Sequence, residues 1–216
     1  MTSAELLADA FGRVQETVHE AVQGLTSSQL AERLGPDANS IAWLLWHLTR
    51  VQDDHLADAF GRVQENVHEV VRGLTSGQLA ERLAPDANSI AWLVWHLTRV
   101  QDDHVADAFR VPQVWTEYGK RFELPLEPYD TGYGHSPEQV ARVTVPSGDL
   151  LTGYHDAVHE QTVRLVSGVT DADLNRVVDE AWDPPVTLGV RLVSVIDDCA
   201  QHVGQAAFIR GILLRR

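Results

Sequence analysis

Residues 7–55 recur as residues 56–104 with 43 of 49 positions identical and no gap. Chance does not produce such a match. The six exchanges, Thr17/Asn66, Ala21/Val70, Gln23/Arg72, Ser28/Gly77, Gly35/Ala84 and Leu45/Val94, all preserve the apolar pattern. So close a repeat is a recent or constructed duplication of one supersecondary unit, not a diverged solenoid. Residues 105–216 contain no second copy of themselves, so the chain reads as hairpin, hairpin, unique half. Val105-Ala106-Asp107-Ala108-Phe109 echoes Leu56-Ala57-Asp58-Ala59-Phe60 and marks the junction.

Each copy has helical periodicity. Leu6, Ala10, Val14, Val18, Val22 and Leu25 recur every three or four residues, which predicts a helix over about residues 4–24. A short helical turn follows at 29–34, Gly35-Pro36-Asp37 breaks the chain, and Asn39 and Ser40 offer caps for a second helix. That helix carries Ile41, Leu44, Leu45, Leu48 and Val51 on its buried side. No breaker separates the copies, so the second helix of copy one is expected to run on into copy two, over about 35 residues or roughly 50 Å. In that arrangement the first hairpin cannot fold back on the second.

Residues 106–148 form a long crossover rich in proline, glycine and aromatic residues, in which Arg142-Val143-Thr144-Val145 is the one stretch with extended character. Helices are expected at 149–166, after Ser147-Gly148-Asp149, and at 187–214, after Asp183-Pro184-Pro185. The expected fold class is all-α: a four-helix bundle with one long crossover at 56–216, built on the 56–105 hairpin, plus a surplus hairpin at 1–55.

Composition excludes several classes of function. The chain carries 17 Lys plus Arg against 31 Asp plus Glu, with no basic stripe, so no nucleic-acid partner is expected. No apolar run approaches the roughly 20 residues that span a bilayer, and the start has no signal-peptide pattern. No membrane partner is expected. The single cysteine, Cys199, reads as a small core residue and suits a reducing compartment, so a cytoplasmic location is expected.

Asp198 and His202 stand four apart on the last helix and share its face with Val195, Cys199 and Ala206. His96 lies in Trp92-Leu93-Val94-Trp95-His96-Leu97 at an inward position, and His47 is its duplicate in Trp43-Leu44-Leu45-Trp46-His47-Leu48. Two imidazoles and a carboxylate from facing helices suit a three-ligand metal site with an open position. A buried histidine bonded to a carboxylate is the other reading. His155 and His159 are also four apart but alternate with Asp156 and Glu160, which predicts a solvated face. His19 and His68 read as surface residues, and His55 and His104 fit either the mouth of the same cavity or a helix end. No phosphate loop, nucleophile elbow or paired-cysteine motif is present.

The segment Asn88-Ser89-Ile90-Ala91-Trp92-Leu93-Val94-Trp95-His96-Leu97, followed by Asp198-x-x-x-His202-Val203-Gly204-Gln205, resembles the DinB-like superfamily. The likeness is strongest to the branch with mycothiol-dependent maleylpyruvate isomerase and related thiol transferases, and covers about residues 56–216. In that family one histidine of the second helix and a His-x-x-x-His or Glu-x-x-x-His pair of the last helix bind metal. The resemblance implies His96, Asp198 and His202 as ligands, with Asp198 where the family has histidine or glutamate, and His47 as the duplicate of His96. It also implies a divalent metal, zinc or else nickel, that makes a nucleophile of water or of a low-molecular-weight thiol. Trp95, Trp46 and Gln205 are the candidate pocket residues. The function so implied is a thiol-dependent transferase, isomerase or hydrolase acting on a small molecule. The alternative is a non-catalytic helical assembly produced by the duplication. The surplus hairpin has no second unique half to pack against, and exposed apolar area costs about 25 cal/mol per Å². The chain is therefore expected to partner itself, as a homodimer, a domain-swapped pair or a larger oligomer.

Overall fold

The computed structural model describes residues 13–14, 16–33, 35, 38–42, 44, 59–170 and 172–215. Four long helices form the bundle: α1 (Ala59–Val71), α2 (Ile90–Phe109), α3 (Gly148–Val166) and α4 (Leu188–Leu213). Short helices Ser76–Ala80, Trp115–Phe122 and Pro137–Arg142 occupy the connections. The fold is all-α, as the periodicity predicts.

Local chemistry sets the helix starts. Ser89 caps α2 by accepting from the Trp92 N–H, and Thr187 caps α4 by accepting from the Val190 N–H. Thr75 and Gln78 form a capping box on the helix Ser76–Ala80. α2 runs five residues past the second copy, so the echo Val105-Ala106-Asp107-Ala108-Phe109 forms its last turn. The matching residues Ala59 and Phe60 lie in the first described turn of α1.

The sequence-consecutive helices α1 and α2 touch only lightly, as each packs on both α3 and α4, and α2 against α4 is the most extensive contact. α2 and α1 thus sit diagonally, with the α2–α4 seam at the centre of the molecule. The core includes Val63, Val67, Val71, Leu93, Leu97, Tyr154, Val158, Cys199, Val203 and Ala206. α2 is buried nearly all round, from Ile90 through Asp102, which is the mark of a central helix.

Three expectations are corrected. Residues 143–145 are not a strand; the sheet that exists pairs β1 (Val177–Asp179) with β2 (Val186–Thr187) antiparallel, just before α4. Arg191 of α4 ties β1 down through a 2.7 Å bond to Asp179. His155 is fully buried, not on a solvated face, and its Nδ1 lies 3.2 Å from the Thr98 hydroxyl. The third correction concerns copy one. Its described residues lie beside α4 of the same chain: Arg13 donates to the Ser194 hydroxyl at 3.2 Å, and Leu25, Gln29, Ile41 and Leu44 face Leu93, Gln205 and Phe208 across a cleft of about 740 Å³. The described residues of the surplus hairpin therefore have neighbours in their own chain, though they are more exposed than their counterparts in copy two. The expected continuous helix between the copies, and His47, Trp43, Trp46 and His55 with it, lie outside the described residues.

No described helix is long and apolar enough to cross a membrane.

Candidate metal centre

The α2–α4 seam brings His96, Asp198 and His202 together. One potential ligand atom from each lies within 4.8 Å of the others. The rings of His96 and His202 meet edge to face, with centroids 4.8 Å apart and planes at 74°. These are the three residues singled out from the sequence, and the four-residue spacing of Asp198 and His202 on one helix face is what aims both at His96.

Each ring nitrogen has a definable role. His96 Nδ1 donates to the Thr131 carbonyl, which leaves Nε2 with its lone pair free for a ligand. His202 Nδ1 lies 3.2 Å from Gln205 Oε1, so it carries a proton and again leaves Nε2 free. His202 Nε2 is 3.6 Å from Asp198 Oδ1, too long for a hydrogen bond. Asp198 Oδ2 is buried and has no hydrogen-bond partner among the described residues. A buried carboxylate oxygen left without a partner is costly, and a cation held between it and two free imidazole lone pairs removes that cost. The residues present therefore fit a divalent metal.

Electrostatics distinguish the two rings. Burial lowers the His96 pKa, against the opposing pull of Thr131 and Asp198, so this imidazole stays neutral. At His202 burial also works downward, but the Asp198 carboxylate and Gln205 outweigh it and the net shift is upward.

Trp92 forms the wall of the site. Its ring stacks on His96 at 4.5 Å and 15°, and meets His202 edge-on at 6.2 Å. Trp95, the tryptophan expected to wall the pocket, is fully buried and instead stacks on His135 at 6.0 Å. Gln205 is exposed, touches His202 and lines the apolar cleft beside copy one. His104 sits two turns along α2 with its Nδ1 3.4 Å from Arg191, and burial lowers its pKa with Arg191 adding to the effect. His19 is exposed, and His68 bonds Asp156 at 2.7 Å on the far side of the bundle.

Sequence reasoning missed the crossover's part in this site. Asp130, Thr131, Gly132 and His135 all contact the α2 side chains of the centre or one another. The only cue was a histidine among the glycines Gly132 and Gly134, in a stretch otherwise read as connection.

The family model described as mycothiol-S-transferase matches residues 55–214, which span copy two and the unique half. The chain belongs to the mycothiol-S-transferase family. A DinB superfamily model matches residues 10–62, within the first copy and the start of the second. A solved structure described as the conserved protein of locus from Enterococcus faecalis is 31% identical, with a TM-score of 0.68, and covers 74% of this chain and 95% of that one. No curated protein matches the chain. For a mycothiol-S-transferase, the family implies a low-molecular-weight thiol substrate, and its superfamily is metal-binding. The single cysteine is not available as a nucleophile: Cys199 is fully buried, 3.5 Å from the Leu97 carbonyl, and burial first and then Asp198 push its pKa well up.

Proposed function

We propose that this chain is a metal-dependent transferase that joins the sulfur of mycothiol, or of a similar low-molecular-weight thiol, to a small electrophilic acceptor. His96, Asp198 and His202 hold one divalent cation, with zinc the expected ion and nickel the substitute. The convergence of their ligand atoms within 4.8 Å carries this reading. A bound divalent cation would lower the pKa of a thiol or water into the neutral range.

The protein's own groups do the rest. Thr131 and Gln205 hold the two imidazoles in the tautomers that present Nε2. Trp92 closes one side of the site and excludes water from the His96 face. The apolar cleft beside Gln205 offers the acceptor a surface of Leu93, Phe208 and Ile209. In the transfer the thiol proton leaves, a sulfur–carbon bond forms, and the displaced group or adjacent carbon takes up a proton. Isomerase or hydrolase chemistry would use the same three ligands. A small-molecule thiol cosubstrate and the buried free cysteine both suit a cytoplasmic setting.

The test is metal content per chain by mass spectrometry, with thiol consumption followed in parallel. About one metal per chain is expected, as three protein ligands with an open position require. The metal should be lost in the Asp198→Ala/His202→Ala double variant. Thiol consumption should vanish in His96→Ala and persist in His47→Ala. Metal-free protein even after reconstitution overturns the proposal.

A second reading, a homodimer or domain-swapped assembly built through the surplus hairpin, is favoured by one observation. Ile41 and Leu44 remain 36% and 39% exposed. A monodisperse monomer in light scattering overturns it.

A further inference from the structure

We propose that the crossover segment 130–135 is a positioning clamp for the metal-binding histidine of α2, with Asp130 and His135 as its positioning residues. This rests on reading His96 as a ligand.

The clamp reaches His96 by two routes. On the ring edge, the Thr131 carbonyl accepts from Nδ1. On the ring face, Trp92 stacks at 4.5 Å, and its own indole N–H donates to His135 Nδ1 at 3.1 Å. To accept that bond, His135 must carry its proton on Nε2, and Nε2 lies 2.9 and 3.0 Å from the two oxygens of Asp130. Asp130 thereby sets the His135 tautomer, and its Oδ1 also accepts from the Gly132 N–H at 2.7 Å. One carboxylate thus fixes the loop turn that carries Thr131 and the imidazole that fixes Trp92. The His135 side chain is 3% exposed, so this is an interior device.

Gly132 is the point of closest approach. Its φ is +90°, and a Cβ there would lie 2.9 Å from both His96 Nδ1 and the Trp95 ring. Only glycine lets the backbone come near enough for the Thr131 carbonyl to accept the hydrogen bond from His96 Nδ1–H. Gly134 supplies the internal comparison, because its φ is +72° but a Cβ would meet nothing within 4 Å.

The experiment measures zinc affinity by chelator competition, and the His96 tautomer by ¹⁵N–¹H correlation in the metal-free protein. Asp130→Ala and Gly132→Ala are expected to weaken zinc binding by about 10–100-fold, the usual cost of losing a ligand's supporting hydrogen bonds. In both, His96 should lose its fixed Nδ1–H tautomer. Asp130→Asn keeps Oδ1 as an acceptor but turns an amide donor toward the His135 Nε2–H, so its loss should fall between wild type and Asp130→Ala. Gly134→Ala should hold affinity near wild type. Wild-type affinity and tautomer in Asp130→Ala overturn the clamp, as does an equal loss in Gly134→Ala. If Gly132→Ala does not fold, the Asp130 pair decides alone. A wild-type protein that binds no zinc overturns the ligand reading, while a tautomer change in metal-free Asp130→Ala still upholds the clamp.

Discussion

His155 shows how burial alone can make a side chain report on pH. It is fully buried, and burial first, with neighbouring His159 adding and Asp156 opposing, lowers its pKa from 6.5 to about 3. His68 and the Thr98 hydroxyl complete the groups that face it. The folded protein therefore binds fewer protons than the unfolded chain between pH 6.5 and about 3. Stability from this group is complete above pH 6.5 and falls as the pH drops through that window, by up to about 1.4 kcal/mol per pH unit. Urea unfolding at pH 7.5, 6 and 5 should show a shallower pH dependence in His155→Gln than in wild type. Equal slopes would reject the assignment. Its burial was hidden in the sequence because Asp156 and Glu160 flank the pair His155 and His159. Sequence neighbours on a helix point about 100° apart, so charged neighbours say little about a residue's own face. His96, Asp198 and His202 were legible for the converse reason, as each sits three or four residues from apolar partners on its own helix.

At the scale of elements, one buried acid fastens three segments. Asp102 of α2 accepts from the Tyr154 hydroxyl of α3 at 2.8 Å. It also accepts from the N–H groups of Val114 and Trp115 at 2.9 and 2.8 Å, at the start of the helix Trp115–Phe122. Burial pushes its pKa up despite these bonds, and Arg99, whose side chain is wholly buried 3.5 Å away, balances its charge. Removing the acid leaves Arg99 as an unpaired buried cation. Asp102→Ala should cost about 3–5 kcal/mol, and Tyr154→Phe, which removes the bond to Asp102 together with the one the hydroxyl accepts from Arg99, at least about 1.5–3 kcal/mol. Chemical denaturation measures both, and a loss under about 1 kcal/mol in Asp102→Ala would contradict the role. The helices themselves were readable from apolar period and caps. The crossover's tie to α2 was not, because Asp130 and Thr131 reach Arg99 and His96 across more than thirty residues of sequence. Nothing local marks such a pairing.

The whole molecule separates sequence from context with unusual directness, because the same residues occur twice. Val63, Val67, Val71 and Leu74 are buried, while their identical counterparts Val14, Val18, Val22 and Leu25 are only half-buried. Ile90 and Leu93 are fully buried, while Ile41 and Leu44 are more than a third exposed. Pattern specifies a helix and its apolar stripe, but the unique half decides which copy's stripe becomes core. In light scattering a chain lacking residues 7–55 should be monomeric and still bind metal, because every described ligand and clamp residue lies beyond the deletion. Loss of metal in that chain would assign copy one a part in the site.

The placement of Cys199 has a further consequence for cells under attack. With its only sulfhydryl sealed between α2 and α4, the chain offers peroxides and alkylating agents no exposed thiol of its own. Such agents would deplete the diffusible thiol on which the proposed reaction draws and leave the protein intact. Capacity after an oxidative insult would then recover as fast as the thiol pool is replenished, without new synthesis of the enzyme.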